Sequence, residues 1–123
     1  MQEKDLENYS ELTLNNGEIV KLEPKLNLKK LMMINRDFNT DQFAQLSMGG
    51  SGMAITVHQG AQAVYVAYRQ ANMNTYITFD EFIDQWDFDM EMATTIYNLM
   101  MFKKAQDAYQ KAFENANKQK KLQ

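Results

Sequence analysis

Apolar and polar positions alternate near the start of this chain and then recur at helical spacing to its end. The alternation lies in Glu11-Leu-Thr-Leu-Asn and Glu18-Ile-Val-Lys-Leu, which flank Asn16-Gly17. Both turn residues tolerate positive φ, so the stretch predicts a β-hairpin over 11–22. A two-residue turn would pair Leu14 with Ile19 and Leu12 with Lys21, leaving Val20 and Leu22 on the opposite face. An isolated hairpin is marginal in water, so this one must lie on helices or join another strand.

Helical spacing begins after Pro24, the only proline. Asn27 can cap a helix over 27–37 that carries Leu28, Leu31, Met32 and Phe38 roughly on one side. Thr40 opens a shorter piece with Phe43 and Leu46. Gly49-Gly50-Ser51-Gly52 follows without the Lys-Ser or Lys-Thr pair of a phosphate loop, so it reads as a joint. From 54 to 71 the apolar positions are Ala54, Val57, Ala61, Val64, Tyr68 and Ala71, a seam spaced 3,4,3,4,3. Periodicity outweighs the weak helix propensity of the β-branched residues Val64 and Val66. Gly60 permits close approach of a neighbouring helix.

Thr78-Phe-Asp-Glu81 is a capping box, predicting a helix over 79–86 that buries Phe79, Phe82, Ile83 and Trp86. Asp87 and Asp89 then open a closing helix over 89–116, at the end where negative charge is favourable. This last third has the strongest periodicity and is expected to organise the rest. Met92, Ile96, Leu99 and Met100 share one face. Met101, Phe102, Tyr109 and Phe113 belong to a second stripe, well around the cylinder from the first. That stripe either meets a partner or marks a bend near Met100 that returns the second half to the core.

The predicted fold is mainly α (α+β): an N-terminal β-hairpin followed by a helical bundle with a long C-terminal helix. A loose stretch 1–10, one domain over 11–118 and a basic tail 119–123 make up the chain. Composition narrows the function classes. There is no cysteine, hence no disulfide, thiolate nucleophile or cysteine metal site. The start resembles no signal peptide and no apolar run approaches a membrane span, so a cytoplasmic protein without membrane contact is expected. A net charge of −3 argues against a general nucleic-acid binder. Lys118, Lys120 and Lys121 suit a helix C-terminus.

Ten methionines in 123 residues is the unusual figure. Methionine packs against irregular or changing surfaces. Adjacent helical residues lie about 100° apart, so one member of Met32–Met33 and one of Met100–Met101 are candidates for exposure at a partner surface. Met33, Met101, Phe102, Tyr109 and Phe113 are therefore the candidate partner-binding residues.

Candidate chemistry is thin. The segment 70–81 matches the tail of a calcium loop, but Gln70 stands where the first acid belongs and Glu81 would be the sole carboxylate ligand. Acids at 80, 81, 84, 87 and 89 read as a solvated face rather than a hydrolase pair, which usually comes from separate elements. His58 has no nucleophile or ligand partner nearby, and no serine sits in a nucleophile elbow. No enzyme, metal or cofactor is predicted.

In this order the elements resemble the tail assembly chaperones of long-tailed bacteriophages and prophages. The likeness rests on the hairpin at 11–22, the helix at 28–38 and the helix bearing Val64-Tyr-Val-Ala-Tyr-Arg. The start Thr78-Phe-Asp-Glu-Phe-Ile-Asp and a closing helix complete it. It covers about residues 11–100 and lies in order and texture rather than an invariant motif. The resemblance implies binding of the phage tape-measure protein, and of tail-tube subunits, in the host cytoplasm; the second stripe of the closing helix would bind that client, another copy of this chain, or both in competition. An adaptable groove would shield an apolar helical client and release it as tube subunits polymerise. The alternative from another class is a structural phage or bacterial adaptor that stays in its assembly.

Overall fold

The computed structural model describes residues 8–44 and 55–101, together with Lys111 and Glu114. A 3-10 turn at Asn8–Ser10 leads into strands β1 (Glu11–Thr13) and β2 (Ile19–Lys21). Helices α1 (Leu28–Ile34), α2 (Asp41–Ala44), α3 (Val57–Ala71), α4 (Phe79–Asp84) and α5 (Met90–Met101) follow. The predicted class holds: an antiparallel hairpin, then helices. The glycine joint at 49–52 and Ala54 lie outside the described residues.

The hairpin register differs by one residue from the sequence expectation. Leu12 pairs with Val20, Thr13 with Ile19 and Glu11 with Lys21. Among the described residues only Gly17 takes positive φ, at 89°, so Asn16 does not enter the two-residue turn foreseen for it. Instead, Gly17 N–H donates to the Leu14 carbonyl at 2.9 Å and Leu14 N–H to the Glu18 carbonyl at 2.8 Å. These close a three-residue loop with glycine in the left-handed position. A one-residue slip flips every side chain of a strand to the other face. The observed register puts Leu12, Leu14, Val20 and Leu22 together on the buried face and leaves Ile19 outside. At roughly 1.5–3 kcal/mol per buried aliphatic side chain, packing chooses the register and the loop accommodates it.

Among the described residues helix α3 is the organising element; most of the last third, expected in that role, lies outside them. Its residues from Gly60 to Gln70 are buried on nearly every side, Gln62 alone excepted. The unbroken apolar run 63–68 makes it a helix that must be surrounded. Helix α5 packs along it where Gly60 faces Ala93: a Cβ at Gly60 would stand 2.9 Å from Ala93 Cβ. Ile96, Leu99 and Met100 are buried, as the closing-helix stripe predicts, Met92 is partly so, and Ala93 is buried with them.

The hairpin is held at the other end of α3. Glu23 N–H donates to the Ala67 carbonyl, and the Gln70 amide donates to the carbonyls of Glu23 and Lys25 while accepting from Asn27 N–H. The Asn72 amide reaches the Lys21 carbonyl. Gln70 and Asn72, which a calcium loop would use as ligands, are thus engaged with the hairpin. The hairpin tip is held too, by Asn15 N–H donating to the Gln85 carbonyl.

Both ends of the α-helical start signals are explicit. Thr78 and Glu81 form the capping box that the sequence foretells, and Thr56 with Gln59 forms a second one. Thr78→Ala is expected to cost about 1 kcal/mol, read as a lower urea midpoint with unchanged m-value.

Candidate functional site

Helix α4 is short, so its cap and its aromatic side chains fix its position. Phe82, fully buried, stacks with Tyr65, Tyr68 and Trp86, at centroid distances of 5.5, 5.1 and 5.7 Å. Phe79 and Ile83, one turn apart, lie along another side. Trp86 follows the helix end, and Phe88 sets its ring 5.4 Å from that of Trp86. Opposite them stands the first turn and a half of α3. Between the two lies an open groove of about 390 Å³ lined by Val57, His58, Ala61, Phe79, Ile83, Trp86 and Phe88. His58 is its one polar side chain. Ile83, expected in the core, is instead 42% exposed at the groove. The reason is that Phe82 and Trp86 fill the inward side of so short a helix.

Asp80, Glu81, Asp84, Asp87 and Asp89 fall among the groove residues in sequence and are exposed, in keeping with the solvated acidic face expected of them, and Glu91 is exposed as well. Asp89 accepts from the N–H groups of Glu91 and Met92 at the start of α5. Among the described residues no three acidic, histidine or cysteine side chains gather as a metal site, and no helix is long and apolar enough to cross a membrane.

The sequence-predicted partner residues divide. Met33 is exposed, at 42%, beside the still more exposed Leu28 and Met32 on the outer side of α1. Both members of that methionine pair face outward, not one. Met101 is buried in the core together with Met100, so the pair offers no exposed member and Met101 is corrected from partner surface to core. The Phe43 ring of α2 lies 6.3 Å from that of Tyr97, one helical turn before Met101 on α5. Phe102, Tyr109 and Phe113 lie outside the described residues. Lys111 and Glu114 are helical and exposed.

A second, polar constellation lies on the other side of the aromatic cluster. The Arg69 guanidinium binds Asp37 through two parallel hydrogen bonds of 2.8 and 2.9 Å, donates to the Tyr65 hydroxyl at 3.2 Å and lies 3.5 Å over the Tyr76 ring. Two tyrosine hydroxyls then hold Ile77: Tyr65 donates to its carbonyl, and Tyr68 accepts from its N–H. Burial pushes the Tyr65 phenol up, against the lowering effect of Arg69, so it stays protonated at neutral pH. Burial disfavours the Arg69 charge, but the hydrogen bonds with Asp37 and Tyr65 outweigh it and raise its pKa. With both terminal nitrogens occupied and one face covered, Arg69 fastens the turn after α1 to α3 and to the 72–78 connection, while its buried Nε has no hydrogen-bond partner.

Sequence reasoning missed the groove because Phe88 lies outside any periodic stretch and Ile83 reads as core. The signal present was an excess of large apolar residues, five in Phe79–Phe88, over what one short helix can bury. No family model, no curated protein and no solved structure matches the chain.

Proposed function

We propose that this protein is a tail assembly chaperone of a long-tailed phage or prophage, which shields an apolar helical stretch of the tape-measure protein during tail assembly in the host cytoplasm. The open groove between α3 and α4 carries the reading. A concave, almost wholly apolar surface with aromatic walls accepts the anchor side chains of a helix laid along it. A soluble protein seldom leaves such a patch uncovered without a partner for it. The groove is too small for a whole helix and suits one or two large side chains, a grip weak enough for later release to tube subunits. The exposed methionines on α1 supply a second adaptable contact.

Co-expression with a tape-measure protein tests this. The wild-type chain should keep the client in the soluble fraction and co-purify with it. Ile83→Asp combined with Phe88→Ser should lose both effects while unfolding at nearly the wild-type urea midpoint, because both side chains are already part-exposed. Full rescue by that double variant, with loss in Met33→Ser, would move the site to α1.

A further inference from the structure

We infer that the groove is built for a helix with a basic flank: a client segment presenting apolar anchors on one side and lysine or arginine beside them. This rests on the client-binding reading above and names the chemistry of the partner. Groove-lining and acidic residues are interleaved along one stretch: Phe79 with Asp80, Ile83 with Asp84, and Trp86 and Phe88 with Asp87 and Asp89. From 55 to 101 the chain holds six carboxylates, and Arg69 is the only lysine or arginine to balance them. That guanidinium is buried and committed to Asp37. The ion pairs of the described residues, Lys21–Glu11, Lys30–Glu23 and Arg69–Asp37, involve none of these six carboxylates.

A single-sign field around an apolar cleft, which no ion pair among the described residues offsets, speeds capture of the opposite charge and penalises the same charge. It repels nucleic-acid phosphates and anionic lipid surfaces, which leaves a cationic polypeptide as the partner it favours. Apolar anchors give such a helix its hold, and its basic flank gives it orientation and selectivity over neutral or acidic helices.

Trp86 is the chain's only tryptophan and lines the groove, so its emission reports occupancy directly. The full chain is titrated with two synthetic amphipathic helical peptides sharing one apolar face, flanked in one case by lysines and in the other by glutamates. The lysine peptide should shift Trp86 emission and bind on the order of tenfold more tightly, an advantage that shrinks at about 0.5 M salt. The triple variant Asp80→Asn, Asp84→Asn, Asp87→Asn should erase the preference and leave the glutamate peptide no weaker. Equal binding of both peptides to the wild-type chain would overturn the charge inference while the client-binding reading stands. Failure of both to bind would sink the two together. A peptide of residues 102–123 carries six lysines against Asp107 and Glu114. If it bound more tightly than the lysine peptide, the occupant would be a second copy of this chain, overturning the assignment to a client.

Discussion

Asp37→Ala is expected to destabilise the fold by about 3 kcal/mol, and Arg69→Met by only about 1 kcal/mol, although both break the same ion pair. The asymmetry comes from exposure: the Arg69 side chain is 4% accessible and that of Asp37 is 51%. Removing Asp37 leaves a buried guanidinium with a tyrosine hydroxyl and a ring for company. Removing Arg69 leaves a carboxylate that water readily solvates, and methionine keeps most of the packing against Tyr65 and Tyr76. Urea unfolding of the two variants decides it, and a larger loss in Arg69→Met would refute the asymmetry. Acid should act on the same pair. The Arg69 hydrogen bonds hold the Asp37 carboxyl below its ordinary value. A carboxyl lowered in the folded state contributes stability that is complete above the unfolded value of about 3.9. That contribution is lost as pH falls through the lower, folded value. Asp37→Asn should therefore lose less stability than the wild type between about pH 4 and pH 2.

Gly60→Val should cost about 3 kcal/mol, at the upper end of what overpacking usually does. At this position a Cβ meets Ala93 Cβ at 2.9 Å and Ile55 Cδ1 at 3.3 Å. Ala93 Cβ is fixed to the backbone of α5, so relief requires the helices to part rather than a side chain to turn. Gly60→Ala gains about 1 kcal/mol of helix propensity, yet should still lose about 1 kcal/mol net. Pairing it with Ala93→Gly removes the opposing atom. The double variant should then be more stable than the two single losses added together imply, by about 1 kcal/mol or more. A stabilised Gly60→Ala would show that α3 and α5 have room to spare. Because Phe88 also lies 3.5 Å from the added atom, Gly60→Val should perturb Trp86 emission as well.

What could be read from the sequence was local. The capping box at Thr78 and Glu81, the hairpin, and the helical run through Val64 and Val66 each follow from neighbours a few residues apart. Gly60 also fell out correctly, as a gap in an otherwise bulky seam. The hairpin register did not, because Asn16-Gly17 supports more than one loop and the choice belongs to four aliphatic side chains packing elsewhere. Asking which pairing puts Leu12, Leu14, Val20 and Leu22 on one face would have found it. Met101 was misplaced because a helical wheel treats α5 as touching one neighbour, whereas the core cluster takes in Met101 as well as Ala93, Ile96 and Met100. Met33 is exposed, as expected, for the opposite reason: the outer side of α1 has no described element over it. The groove needed tertiary knowledge, since its two walls come from α3 and α4 and its edge from a connection without periodicity.

The attachment of the hairpin to the far end of α3 sets an order of events on the ribosome. The Gln70–Glu23 and Asn72–Lys21 bonds join residues 47 and 51 positions apart. At roughly 5–20 residues per second, the apolar face of the hairpin waits several seconds for the helix that covers it. A two-stranded hairpin does not persist alone in water for want of cover, so its strands should form only once α3 has emerged. The hairpin, made before α3, is then fixed only after it. Until then Leu12, Leu14, Val20 and Leu22 are open to other nascent chains.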